Sequence, residues 1–509
     1  MTTTVIYAAA QLNTYESLGI DSVQKKIFLE KTASDLVIPV INISTLNNNK
    51  NITSSVEYID CVVDVLGADG KLQINEKSAK VKVRGNSSAY FGDEEKANTK
   101  LVPYRIKFTE KSNILGLHNG EQFKNWVLLK QDWDVIRNDI ALRMGRAIFK
   151  GDAYVSDSTI VTVYVNDIYK GIYILTEQNQ VNEKRVNVKI PEKNYNGTDI
   201  GYYFEIDSYH EKEKNVFKMN YEYATVADIL GEERQFVEHG YTIKSDIYSP
   251  DQIDFIAKYT RNVFKIIYLA VEKNQYMTFD ENYNLVNSTF INAEETIGAV
   301  FDLEAAVDMY LLYEIVHDYD VGWGSFFFAV DFSKDSKIPK LQMNSPWDFN
   351  WAYVDSFERY WAGTFSEKSF IEEHGYDRSN PWFIELAKTT WFQTLASKKW
   401  EMVSSDVKKQ IDEETEFAIN SESDLLKQSN QNVMKDINTL LSWITSRISW
   451  MDRTFIIPEN IQHYSSNNDI QPFENVKGIT VSPDQDDLEE AISVSVDGGK
   501  EMNDSSNEE

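Results

Sequence analysis

The stretch from Phe301 to Val354 constrains the fold more than any other, because it reads as helix, acidic loop, hairpin and acidic exit in uninterrupted order. From Leu303 to Val316, Ala306, Met309 or Tyr310, Tyr313 and Val316 recur at helical spacing, with Asp302 at the N-cap position and Glu304 in the first turn. The spacing predicts a buried helix. It runs into His317-Asp318-Tyr319-Asp320-Val321-Gly322-Trp323-Gly324, whose two glycines stop a helix and allow a sharp turn. Phe326 to Val330 and Lys340 to Met343 then read as strands joined by the polar turn Ser333-Lys334-Asp335-Ser336. The second strand leads into Pro346-Trp347-Asp348-Phe349-Asn350, so two rigid elements end on carboxylates.

Carboxylates held in this way suit phosphoryl transfer. One acid orients or deprotonates a hydroxyl nucleophile and another holds the magnesium that bridges phosphates, as the catalytic-loop Asp and the later Asp-Phe-Gly Asp do in protein kinases. Asp320 is the candidate base, Asp318 its alternative in the same loop, and Asp348 the candidate metal ligand. Asp320 lies deeper in the loop, closer to the glycines that bend the chain back toward the hairpin. Each of these acids also fits the commoner work of a loop Asp, capping its own turn.

An ordered series of short motifs carries a resemblance: Arg84-Gly85-Asn86-Ser87-Ser88, Tyr104-Arg105-Ile106-Lys107-Phe108, Trp126-Val127-Leu128-Leu129, Arg137-Asn138, Gly171-Ile172-Tyr173 with Glu177-Gln178, Gly201 to Asp207, and Pro346-Trp347-Asp348-Phe349. From about Ile38 to Phe455 this series resembles the CotH family, the spore-coat-protein-H type of atypical kinase. The resemblance implies an α+β, bilobal protein-kinase-like fold that binds ATP with Mg²⁺ or Mn²⁺ and phosphorylates Ser or Thr of proteins. On that reading residues 1–35 are an N-terminal extension, 36–207 a β-rich N-lobe that binds nucleotide, 208–457 a mainly helical C-lobe with the catalytic loop and metal site, and 458–509 an acidic tail.

With 509 residues, 42% of them hydrophobic and 13% aromatic, the chain can bury a large core. Its net charge of −29 disfavours nucleic acid and anionic membranes, which draw on an excess of Lys and Arg, and favours a basic or Ser-rich protein partner. The lone Cys61 excludes an intramolecular disulfide framework and stands in an apolar run as a small buried residue. The first twenty residues have neither a basic n-region nor a long apolar core, and no run reaches membrane-spanning length. A spore-coat or virion component made in the cytoplasm fits these facts, and so does a secreted protein whose signal has been removed. The six histidines show no metal-ligand spacing.

A helix is expected around Ser22 to Lys31, then strands at Val37 to Ser44, Tyr58 to Leu66 and Ala79 to Arg84. Past the third strand, Arg84, Asn86, Ser87 and Ser88 form either a phosphate cradle or an ordinary polar turn. The next strand alternates Tyr104, Ile106 and Phe108 against Arg105 and Lys107; Lys107 is either the phosphate-binding lysine of a nucleotide cleft or a solvated side chain. A helix from Val135 to Phe149, with Asp132 and Asp134 as capping candidates, stands where a kinase has its ion-pairing helix but holds no glutamate. Glu177, after the hairpin Thr159 to Thr176, is the substitute partner, and Glu205 and Asp207 are weaker candidates on the same logic. From Asp251 the pattern turns helical, ending in a tryptophan-bearing region from Pro381 to Phe455 that reads as a packed lobe. Beyond Ile457 it turns polar and acidic, with a short strand at Ile492 to Val496.

Two departures from the family pattern bear on the metal. Asn350 stands where the family commonly has Asp, and Ser325 stands five residues after Asp320, where ordinary kinases have a metal-binding Asn. Each offers a neutral oxygen in place of a stronger ligand. An extended Asp348 to Asn350 would point both side chains the same way, toward the ion. Three readings follow: an active kinase with Asp320 as base, Asp348 on the metal and Lys107 on the phosphates; a pseudokinase kept as a scaffold; or an adhesin-like surface protein.

Overall fold

Alternation in the first half of the chain closes a barrel. The computed structural model describes residues 14–130, 136–219, 226–234, 238–354, 357–364, 378–427 and 432–455. Strands β1 (Val40–Thr45), β2 (Ile59–Leu66), β3 (Leu72–Val83), β4 (Tyr104–Ser112), β5 (Phe123–Lys130), β6 (Ser158–Val165) and β7 (Ile168–Glu177) are ordered β1-β2-β3-β4-β5-β7-β6 around it. Closure comes from β1 running parallel to β6, a pairing across some 120 residues, while the other pairs are antiparallel. Val81, Val83, Ile106, Phe108, Trp126 and Leu128 fill the interior. Lys80, Lys82, Arg105 and Lys107 lie on the opposite side of the pleat.

The expected N-terminal helix is α1 (Ser22–Thr32), seated on the barrel by buried Lys25 paired with Asp167; ahead of it, the Tyr15 hydroxyl donates to Asp64 at 2.5 Å. Helix α2 (Glu94–Thr99) joins β3 to β4, and α3 (Arg137–Phe149) follows β5. The capping candidates Asp132 and Asp134 lie outside the described residues.

A second sheet follows: β8 (Gly201–Ile206), β9 (Val216–Met219), β12 (His239–Ile243), β15 (Phe326–Asp331) and β16 (Gln342–Asn344), in the order β16-β15-β8-β12-β9. Two short hairpins, β10 (Val226–Ala227) with β11 (Glu233–Arg234) and β13 (Met277–Phe279) with β14 (Leu285–Asn287), stand apart from it. Strand β8, which falls within the 36–207 segment, pairs here with β12 and β15 and not with the barrel. Both faces of the sheet are covered. Tyr202, Phe204 and Ile206 enter the helical core, whereas Tyr203 stacks on Phe327 at 5.3 Å on the other side. This is why Phe326-Phe327-Phe328 shows no polar alternation.

The helices are α4 (Pro250–Lys273), α5 (Ala293–Gly298), α6 (Leu303–Val316), α7 (Pro381–Ala387), α8 (Thr390–Asn420), α9 (Glu422–Leu425) and α10 (Val433–Phe455). Helix α6 has the bounds its spacing predicts, and the Asp302 carboxylate caps it by accepting the Ala305 N–H at 3.1 Å. Trp382 and Trp400 are fully buried, so these tryptophans pack the core as expected. Glu314 of α6 and Arg447 of α10, both fully buried, pair at 2.8 Å. Breaking such a pair strands a charge, at a cost of about 3–5 kcal/mol. Among the described residues no helix is long and apolar enough to cross a membrane. The architecture is α+β; the acidic tail and the Ile492 to Val496 strand lie outside the described residues.

Candidate active site

Helix α6 ends at His317, left-handed at φ 47 and stacked on Trp361 with ring centres 4.7 Å apart. The indole N–H of Trp361 donates to the Asp318 carbonyl at 2.9 Å, and the Tyr319 N–H to the Trp351 carbonyl at 3.2 Å. Asp318 is buried, and its carboxylate accepts the Asp320 N–H at 3.1 Å, shaping the turn that presents Asp320. A Cβ at Gly322 would collide with the carbonyl oxygens of Arg378 and Ser379, so glycine is what lets that segment lie against the loop. The approach brings Arg378 within 2.6 Å of Asp320, an ion pair in which the sequence offered no partner to look for.

Asp348 sits beyond β16 at φ 65, the left-handed region. Its carboxylate accepts from the Ser325 hydroxyl at 3.5 Å and from the Asn350 backbone N–H. The left-handed turn breaks the alternation expected for Asp348 to Asn350. The Asn350 side-chain oxygen instead accepts from the Asn138 amide of α3 at 2.7 Å.

The carboxyls of Asp318, Asp320 and Asp348 share one charged neighbourhood. Burial pushes all three above the usual carboxylate range; repulsion from Asp320 adds to burial at Asp318 and Asp348, while Arg378 opposes the shift at Asp320 and Arg84 opposes it at Asp348.

The barrel supplies the cations. Arg84 lies 5.8 Å from the Trp347 ring, within electrostatic reach of Asp348 and Glu205. Its loop turns at Gly85, φ 102, with Asn86 and Ser87 exposed and Ser88 half-buried; the Asn86 carbonyl accepts the N–H groups of Ala89 and Phe91. Phe91 then meets Tyr209 edge-on at 6.1 Å, and Tyr209 senses Asp320, Arg378 and Asp348. The loop therefore reaches toward the acids.

Arg105 is half-buried on the same barrel face, close enough to Arg84 to depress its pKa, with a buried Nε that has no hydrogen-bond partner. Lys107, two residues along, is exposed. Alternation puts both on one face, and Arg105 lies within electrostatic reach of Arg84 and Lys82.

Glu177 stands elsewhere. It is in register with Trp126, which points into the barrel, whereas Lys107 points out, so the two lie on opposite sides of the pleat. Its fully buried carboxylate accepts from the Tyr154 hydroxyl and the Asp157 N–H, both at 3.0 Å, lies 3.1 Å from His118 Nδ1 and 3.8 Å from Arg185. It is the centre of a polar cluster, not a partner for Lys107. Glu205 pairs with Lys244 at 3.3 Å, and burial pushes its carboxyl up to about 8. Asp207 accepts from the Thr242 hydroxyl at 2.8 Å.

A family model described as CotH kinase protein matches residues 81–451, a span that runs from within β3 into α10 and takes in Arg84 and both acidic loops. The chain belongs to the CotH kinase family. No curated protein matches it. CotH membership makes this an atypical protein kinase by family, with the ATP and divalent-metal use that kinases have in general.

Among the described residues no group of three or more His, Cys, Asp and Glu side chains could hold a metal unaided. The donors here still fit magnesium, which keeps several waters and is bound through one or two carboxylates plus substrate phosphates. Asp348 and the Ser325 hydroxyl beside it are two hard oxygen donors for such an ion. The side-chain oxygen of Asn350, the further candidate, accepts from Asn138.

Proposed function

We propose that the protein transfers the γ-phosphate of ATP to Ser or Thr of protein substrates, in the cleft between the outward face of β3 and β4 and the loops that follow α6 and β16. One observation carries this reading: Asp320 and Asp348, delivered by separate loops, lie in one field with Arg84 from the barrel. The layout of a strand-built half and a helical half around that cleft supports the kinase-like bilobal arrangement. Arg84 and Arg105 hold phosphate charge, Asp348 and Ser325 hold the magnesium, which neutralises charge on the transferring phosphoryl group, and Asp320 orients the substrate hydroxyl and takes its proton. Asp318 sets the turn that aims Asp320. The net charge of −29 favours basic substrates, and a surface assembly such as a spore coat or virion is the proposed setting.

The test is phosphate transfer from ATP to a generic basic or Ser-rich protein, with and without chelator. Chelator-sensitive transfer that Asp348→Ala abolishes is expected; no transfer above background would sink the proposal. A second reading, a pseudokinase scaffold, draws on the Arg378–Asp320 ion pair at 2.6 Å, which occupies the proposed base. Metal-dependent ATP binding without transfer, with transfer appearing in Arg378→Ala, would favour it.

A further inference from the structure

We propose that Asn138 is a positioning residue that sets the Asp348 carboxylate, so that α3 is tied to the metal-binding segment by a pair of side-chain amides and not by a lysine–glutamate ion pair. The inference rests on the kinase reading above, in which Asp348 holds magnesium. Asn138 is 2% exposed and spends both ends of its amide on this segment. Its oxygen accepts the Phe349 N–H at 2.7 Å, and its nitrogen donates to the Asn350 side-chain oxygen at 2.7 Å. The two residues it holds directly follow Asp348, whose left-handed backbone is costly for a residue other than glycine and persists only where neighbours enforce it.

Arg137, one position earlier, extends the clamp. Its guanidinium donates to the Ala352 carbonyl and lies 5.6 Å from the Tyr353 ring, while the Tyr353 hydroxyl donates back to the Arg137 carbonyl at 3.3 Å. Helix α3 is itself anchored to α8, where Arg143 meets Glu414 at 3.2 Å. The Arg137-Asn138 motif thereby acquires a role: it holds residues 349–353 in register with α3. An aspartate at 350 would accept the same bond from Asn138, so a carboxylate there keeps the tie to α3.

The test is calorimetric titration of Mg²⁺ into protein and ATP, with thermal melting run alongside, for the parent, Asn138→Ala, Asn138→Asp, Asn350→Asp and the double variant Asn138→Asp with Asn350→Asp. Asn138→Ala should need about tenfold more Mg²⁺, since it strands buried polar groups that hold the acid. Each single aspartate keeps a donor facing an acceptor, by rotation of the remaining amide, and should stay near parent. The double variant sets two carboxylates face to face and should match or exceed the alanine defect. A parental Mg²⁺ requirement in folded Asn138→Ala, whether or not its melting point falls, overturns the inference and leaves the kinase reading standing. If the alanine variant does not fold, the double variant decides: a parental Mg²⁺ requirement there overturns the inference as well. No Mg²⁺-dependent ATP binding by the parent overturns the kinase reading, and the inference with it.

Discussion

The outward face of the barrel and the loops after α6 and β16 face each other with opposite charge, and they hold that charge by different means. Arg105 is placed by register, since β3 and β4 pair with Lys82 opposite Arg105 and the pleat sends both side chains outward, and Arg84 follows directly on β3 with its N–H held by the Pro103 carbonyl at 3.0 Å. Asp320 and Asp348 are placed by contacts that reach across the chain, from Trp361 and Arg378 in one case and from Asn138 in the other. A cation on a strand keeps its position if its neighbours change. An acid on a clamped loop does not, and the acids should be the fragile half of the site.

The strongest way to break this comparison is Asp348→Ala. Removing the principal anionic donor should abolish Mg²⁺-dependent ATP binding in a calorimetric titration while the melting temperature stays near parental; unchanged affinity would take the metal away from Asp348. Next in size is Asp320→Asn. Single-turnover transfer should fall about 10²–10⁴-fold with ATP binding retained, because a group that takes a proton acts in the transition state. Inactive Asp318→Asn beside an active Asp320→Asn would exchange the two roles.

Glu177→Gln sharpens the comparison from the barrel side. Removing the buried partner of Arg185 should lower unfolding free energy by about 3–5 kcal/mol in urea melts, with ATP affinity of the folded protein unchanged; a loss of affinity without loss of stability would return Glu177 to the nucleotide. Arg105→Ala should weaken ATP binding about 10- to 100-fold, the worth of a charged hydrogen bond, and Lys107→Ala should leave it alone. The reverse order would move the cleft outward along β4.

The smallest effect concerns pH. The Glu205 carboxyl is raised to about 8, chiefly by burial, so folding favours its protonated form. Its contribution to stability is therefore complete below the unfolded value near ~4.3 and is lost as pH rises through about 8. Glu205→Gln should flatten the fall in melting temperature between those limits; an identical slope in both proteins would mean that Lys244 already keeps the carboxylate charged.

Much of the fold was legible where one face of an element is buried and the other is not. Helix α6 kept its predicted bounds, β4 its alternation, and the β15–β16 hairpin its pairing. The second sheet was harder to read: β12 is buried along its whole length and carries no period, and β9 is an edge strand of four residues, too short for its alternation to stand out. The site divided in the same manner: two acidic loops stood out from their flanking elements, Arg105 and Asn138 stood in family motifs with no role attached to them, and Arg378 carried no signal at all.

By itself the sequence determined which residues could carry charge to a cleft and which strands and helices would hold them, because side-chain period and capping are local properties of the chain. The tertiary structure decided the rest. That β1 closes on β6, that Glu177 looks into the barrel while Arg105 looks out, and that Asn350 turns to Asn138 all depend on contacts between residues 22 to 212 positions apart. Such contacts form only when distant surfaces bury each other, and no window along the chain contains both partners.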